Sequence, residues 1–179
     1  KKVVVIGGGD TAMDCVRTSV REGADSVKCL YRRDEINMPG SKKEVVNAKE
    51  EGVEFVFNVS PKSIKAQNNV ASAVELLETS MSEPDISGRQ KVVINEGSEY
   101  LEEADVIILA LGFSPEVPLF LKELNVETNS WGGVIVDSNF RTSNKKVYAG
   151  GDCQRGAHLA VTAAVDGREA AKAIIKNLL

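Results

Sequence analysis

The chain has no apolar run near the ~20 residues that a membrane-spanning helix needs. It also has no apolar leader behind a basic start. No membrane partner is therefore expected. A basic surplus is lacking too: 22 Lys and Arg stand against 26 Asp and Glu, a net charge of −4. That excludes the clustered positive surface nucleic acid requires. The three cysteines, Cys15, Cys29 and Cys153, form no CxxC and no metal-ligand spacing. Such a scattered odd set reads as reduced, small buried side chains of a cytoplasmic protein. The one histidine, His158, cannot build a multi-histidine site, so no metal ligand is expected. Neither an internal repeat nor a low-complexity segment is visible. The chain opens at Lys1 and is expected to be a piece of a longer protein.

What is present is ordinary globular material, 42% hydrophobic and 27% charged over 179 residues. Val3–Ile6 is a short apolar run ending in glycines, the pattern of a strand buried on both faces of a parallel sheet. From Asp10 to about Glu22 the apolar residues Ala12, Cys15, Val16 and Val20 step at helical spacing, and Gly23 supplies a stop. Ser26–Tyr31 reads as a second strand. Ser41 with Glu44 reads as a capping box opening a helix that runs to about Glu51. Val53–Val59 reads as a third strand. Val70–Thr79 and Gln90–Asn95 read as antiparallel strands around Pro84 and Gly88, and Val106–Leu111 as a returning apolar strand. Beyond it, Ser114–Gly133 reads as a connector with a short helix near Leu119–Leu124. Short strands follow at Val134–Asp137 and Val147–Ala149, then a closing helix from Ala160 to Leu178. The fold class is thus α/β: a Rossmann-like three-layer nucleotide-binding domain with a β-meander over residues 1–113, a connector over 114–133, and a C-terminal segment over 134–179.

The first turn carries the chemistry. Gly7-x-Gly9-x-x-Ala12 follows a buried strand and opens a helix, with Gly8 between the two glycines. The first glycine permits the tight turn. The second removes a Cβ so that backbone can approach a pyrophosphate, and a small third residue lets helix pack on strand. The helix N-terminus then offers N–H groups and a positive dipole end. Asp10 and Thr11 open that helix, Asp10 as an expected cap and Thr11 as a cap or phosphate contact. At the end of the second strand, where NAD-binding domains place an acid, this chain has Arg32 and Arg33. Guanidinium forks fit a 2′-phosphate. Two charge-assisted bonds of about 1.5–3 kcal/mol each would favour NADPH over NADH by about two to four powers of ten. The alternative is a solvated pair facing Asp34 and Glu35.

Five segments carry a family resemblance: Val5–Arg17 (VIGGGDTAMDCVR), Tyr31–Ser41 (YRRDEINMPGS), Glu50–Asn58 (EEGVEFVFN), Ala104–Pro115, and Thr142–Gly156 with its YAGGDCQRG. In order over essentially the whole chain, they resemble the small, β-type subunits of NADPH-dependent glutamate synthases. More broadly they are similar to pyridine nucleotide-disulfide-reductase-like flavoproteins, including flavin subunits of ferredoxin–NADP oxidoreductases. The resemblance implies that NADPH reduces FAD and that electrons pass on to iron–sulfur clusters. The final acceptor is then a large glutamate synthase subunit or another electron acceptor. It implies that Gly7, Gly8, Gly9, Asp10 and Thr11 cradle the NADPH pyrophosphate, that Arg32 and Arg33 meet the 2′-phosphate, and that Gly112 lies by the cofactor. Gly151 and Asp152 would belong to the second flavin motif. Val161, Thr162 and Ala163 would open the last helix beneath the flavin ring.

The resemblance also implies that the family's first FAD motif and its cysteine-rich iron–sulfur segment lie outside this sequence. Residues 134–179 would then be the C-terminal piece of an FAD-binding domain. Its apolar faces are expected either to pair as a homodimer or to leave that piece loosely placed. Little FAD binding is expected of this chain alone. No catalytic acid–base pair or nucleophile triad is evident, which suits hydride transfer, where cofactors carry the chemistry.

Overall fold

The computed structural model describes residues 1–86, 88 and 90–178, so the expected final residue, Leu179, lies outside the described residues. The chain divides into two compact units, Lys1–Gly112 and Phe113–Leu179. In chain order the first unit holds β1 (Lys2–Ile6), α1 (Asp10–Arg21), β2 (Ser26–Tyr31), α2 (Lys42–Glu50), β3 (Glu54–Phe57), β4 (Val59–Gln67), β5 (Val70–Met81), β6 (Val92–Ile94), β7 (Tyr100–Glu103) and β8 (Val106–Leu109).

Two sheets form. The first is parallel, in the order β3-β2-β1-β8. β1 is central in it, and its alternation explains the layering. Val3 and Val5 join Ala12, Met13 and Val16 of α1 and Val45 and Ala48 of α2 in one core cluster. Val4 and Ile6 join Val59, Val74, Leu76 and Ala104 in the other. Successive side chains of a strand point to opposite faces. The unbroken apolar run therefore serves helices on one face and the antiparallel sheet on the other. This is the three-layer α/β arrangement expected.

The antiparallel sheet is richer than expected. β5 is its hub, pairing with β4, β6 and β7. β4 was not anticipated, and the expected single strand over residues 53–59 is split. Asn58 takes a left-handed backbone (φ 56°), ending β3 in the parallel sheet and starting β4 in the other. Asn68 and Asn69, both left-handed (φ 52° and 62°), close the β4–β5 hairpin, the conformation a tight primed turn demands. The expected capping box at α2 does not form. Ser41 is the N-cap residue but makes no side-chain cap bond, and the reciprocal bond is absent too, since the Ser41 N–H donates to Asp10 while Glu44 pairs with Arg17 of α1.

The second unit holds α3 (Leu119–Glu123), α4 (Asp152–Arg155) and α5 (Ala160–Leu178). The strands expected at Val134–Asp137 and Val147–Ala149 are absent. Two isolated bridges, Thr128 with Val134 and Arg141 with Tyr148, stand in their place. The reason is partner choice. The N–H groups of Val134, Ile135 and Asp137 donate to Cys153, Glu127 and Arg141 respectively, three separate segments rather than one neighbouring strand. Among the described residues no helix is long and apolar enough to cross a membrane.

Candidate functional site

The glycine turn sits at the C-terminal end of β1, between the ends of β2 and β8. Its three glycines do different work. Gly7 has φ +149°, and a Cβ there would lie 2.3 Å from the Ala110 carbonyl oxygen. Its N–H donates to the Leu30 carbonyl at 3.0 Å. Gly7 is therefore required by the fold. A Cβ on Gly8 would meet the Tyr31 ring at 2.5 Å. Gly9 differs: a Cβ there meets nothing within 4 Å. The fold leaves that position open, directly at the N-cap of α1. The first N–H groups of a helix have no intrahelical partner, so the arrangement presents donors and a positive dipole end to an anion.

Asp10 and Thr11 are both exposed on the first turn of α1. The expected Asp10 cap does not form: Gly9 is the N-cap residue of α1, and the Asp10 carboxylate instead accepts the Ser41 N–H at 2.7 Å. Beside it, the Gly40 N–H donates to the Gly8 carbonyl at 3.0 Å. Residues 40–41 are thereby tied down onto the turn. Gly112 has φ +78° and open space around its Cα. It lies two residues past Ala110, whose N–H donates to the Ile6 carbonyl.

Arg32 and Arg33 follow the last residue of β2. Every other described arginine has a carboxylate partner: Arg17 and Arg21 with Glu51, Arg141 with Asp137, Arg155 with Asp166, Arg168 with Glu169. Among the described residues Arg32 and Arg33 have none. The acids beside them are engaged elsewhere. Asp34 accepts the backbone and side-chain N–H groups of Asn37, and Glu35 pairs with Lys49 at 2.6 Å. Two guanidiniums thus stand uncompensated at the rim of an open glycine turn. Burial pushes the Tyr31 hydroxyl up, with Arg33 and then Arg32 opposing it.

The backbone that carries these arginines is held from the antiparallel sheet. The Arg32 carbonyl accepts the Thr79 hydroxyl at 3.0 Å. The Arg33 carbonyl accepts the Asn58 N–H at 3.1 Å, and the Asn58 carbonyl accepts the Thr79 N–H at 2.7 Å. Sequence reasoning missed Thr79 and Asn58, because nothing local marks a threonine 47 residues from its partner.

In the second unit, Gly151 (φ +75°) is buried, with its Cα facing Ala163. A Cβ on Gly150 would lie 2.8 Å from the Asp166 Cβ. Asp152 is exposed and is the first residue of α4. The residue that organises this turn is Asp166, which sequence reasoning also missed. It is only 2% exposed. It accepts the Gly151 N–H at 2.9 Å and both Nε and Nη2 of Arg155. The Arg155 hydrogen bonds, then the Gly151 N–H, hold its carboxyl below the ordinary range against the opposing effect of burial. On the first turn of α5, Val161 is exposed, and Thr162 and Ala163 donate their N–H groups to the Leu159 carbonyl. The Thr162 hydroxyl lies 2.9 Å from His158 Nδ1.

Comparison with known proteins agrees with this architecture. The chain is 53% identical to the glutamate synthase (NADPH) small chain of Escherichia coli K12, over 99% of this chain and 39% of that protein. It is 50% identical to the putative oxidoreductase AegA of the same organism, over 97% of this chain and 27% of that protein. It therefore spans well under half the length of these relatives. Among solved structures, Lactococcus lactis thioredoxin reductase superposes with a TM-score of 0.77 at 23% identity, over 98% of this chain and 53% of that one. Mycobacterium tuberculosis FprA in complex with NADPH also gives 0.77, at 16% identity, over 99% of this chain and 52% of that one. These two likenesses establish the fold. The pyridine nucleotide-disulphide oxidoreductase model matches residues 1–167, and the chain belongs to that family.

Proposed function

We propose that this chain is the NADPH-binding portion of a flavin-dependent oxidoreductase. The parent protein would pass electrons from NADPH through FAD to iron–sulfur clusters, for glutamate synthesis from glutamine and 2-oxoglutarate. The observation that carries the reading is the pair of uncompensated guanidiniums, Arg32 and Arg33, at the rim of a turn whose Gly9 is open. In this reading Gly7–Gly9 and the N-terminus of α1, with Asp10 and Thr11, receive the pyrophosphate. Arg32 and Arg33 receive the 2′-phosphate, and Gly112 lets the chain pass close to the cofactor. A bidentate guanidinium fork suits a phosphate better than a ribose hydroxyl.

In the second unit, Gly151, Asp152 and the first turn of α5 (Val161, Thr162, Ala163) are assigned to FAD. The Asp152 side chain makes no bond to another described residue, which leaves its carboxylate available to a sugar or ribityl hydroxyl. FAD would supply the two-electron acceptor chemistry. The partners proposed are the flavin and iron–sulfur regions of a longer chain, and a large glutamate synthase subunit, in the cytoplasm. A second reading, a flavin oxidoreductase other than a glutamate synthase subunit, is favoured by one observation. AegA and UacF, both named putative oxidoreductases, match at 50% and 49%, nearly as well as the glutamate synthase chain.

Calorimetric titration of the 179-residue chain with NADPH and NADH side by side tests the reading. NADPH binding at least about tenfold tighter than NADH is expected. Equal affinities would contradict it.

A further inference from the structure

We infer that Thr79, on the antiparallel sheet, is a positioning residue for NADPH specificity. This rests on the dinucleotide reading above. Thr79 is 5% exposed, and among the described residues of the first unit it is the one buried polar residue. Buried hydroxyls are kept where they satisfy a partner. Its partner is the carbonyl of Arg32, 47 residues away in sequence.

The bond closes a ring of three. The Thr79 hydroxyl donates to Arg32, the Thr79 N–H donates to Asn58, and the Asn58 N–H donates to Arg33. The ring joins the end of β2, the Asn58 switch between the sheets, and β5. β5 is itself fixed by β4, β6 and β7, so it is a rigid anchor. The two carbonyls it holds belong to the two residues whose guanidiniums have no partner among the described residues. Those side chains are long and exposed to varying degrees. Holding both peptide units from the far sheet limits where the guanidiniums can reach, which lowers the entropic cost of gripping a phosphate. A site that must meet one phosphate group gains from a rigid backbone beneath it. The meander layer thus serves the specificity of the cofactor site as well as covering the parallel sheet.

The test uses Thr79→Val, which keeps the shape and removes only the hydroxyl donor, with Thr79→Ser as rescue. NADPH and NADH dissociation constants are measured on the full 179-residue chain. The expected result is a loss of about fivefold in NADPH affinity with NADH unchanged, and recovery in the serine variant. Equal weakening of both nucleotides, or an unchanged ratio, would overturn the inference, since a merely structural threonine alters both alike. Should the valine chain not fold, Thr79→Cys, a weaker donor, is expected to give an intermediate ratio; an unaltered ratio there overturns the inference as well. A wild-type chain that binds NADPH and NADH equally overturns the assignment of Arg32 and Arg33 to the 2′-phosphate, on which the inference rests. A discriminating wild type whose variants keep its ratio overturns only the role of Thr79.

Discussion

The two units reach order by different means. The first is held by two apolar clusters on opposite faces of one parallel sheet. In the second, the buried apolar residues among those described are Val126, Val134 and Ala170, while Phe113, Leu119, Leu159 and Val161 are exposed. What fixes its turn is a polar device, Asp166 bound to Arg155 and Gly151. Apolar burial depends on how well volume is filled, whereas a hydrogen-bonded clamp depends on single atoms and on their protonation. The first unit is therefore expected to respond to volume, and the second to charge and pH.

The largest expected effect tests the apolar side of that contrast. Leu76→Ala removes a fully buried side chain between the two sheets and should cost about 3 kcal/mol, read from urea unfolding. A loss below about 1 kcal/mol would mean the antiparallel layer does not share the core. The glycines sharpen the same contrast within one turn. Gly7→Ala forces a Cβ onto the Ala110 carbonyl and should cost more than about 2 kcal/mol. Gly9→Ala meets nothing and should shift stability by no more than about 0.5 kcal/mol. It should nonetheless weaken NADPH by about tenfold or more, if a pyrophosphate approaches there. Equal stability losses in the two variants would refute the division between fold glycine and site glycine.

The polar side is tested by pH. Asp166 is held below its ordinary value of 3.8. A depressed carboxyl contributes stability above its unfolded value, and that contribution fades as pH falls through the lower folded value. The Gly151 amide resonance should therefore keep its native position at pH 6 and move only in acid below 3.8. Asp166→Asn should show the acid-like position already at pH 6. A Gly151 signal indifferent to both would show that the clamp is not what orders the turn.

The smallest effect concerns the thiols. Burial pushes the Cys29 thiol up to about 12, and its Sγ donates to the Gly7 carbonyl. Cys153 is exposed. Iodoacetamide at pH 8 should label Cys153 rapidly and leave Cys29 untouched until the chain unfolds. Early labelling of Cys29 would mean the floor of the glycine turn opens readily.

Much of this organisation can be read along the chain because its cause is local. β1 and β2 follow from apolar runs, α1 and α5 from helical spacing, and the glycine turn from its fixed offsets. The misreadings share a different cause. β4 is largely exposed and carries Pro61, Lys62 and Lys65, so no apolar alternation announces it. It was merged with β3 because one left-handed asparagine, Asn58, makes the break. The capping box does not form: Asp10 takes the Ser41 N–H, and Arg17, on another helix, pairs with Glu44. The roles of Thr79 and Asp166 depend on partners brought together only by the fold. Arg32 and Arg33 were visible as residues, but their lack of carboxylate partners was not.

The central claim is that those two arginines select the phosphorylated nucleotide. The most direct measurement is the ratio of NADH to NADPH dissociation constants for the wild-type chain and for Arg32→Ala/Arg33→Ala. The account predicts a ratio of at least about ten in the wild type, falling to near one in the double variant through loss of NADPH affinity, with NADH unchanged. A ratio that survives removal of both guanidiniums would contradict it.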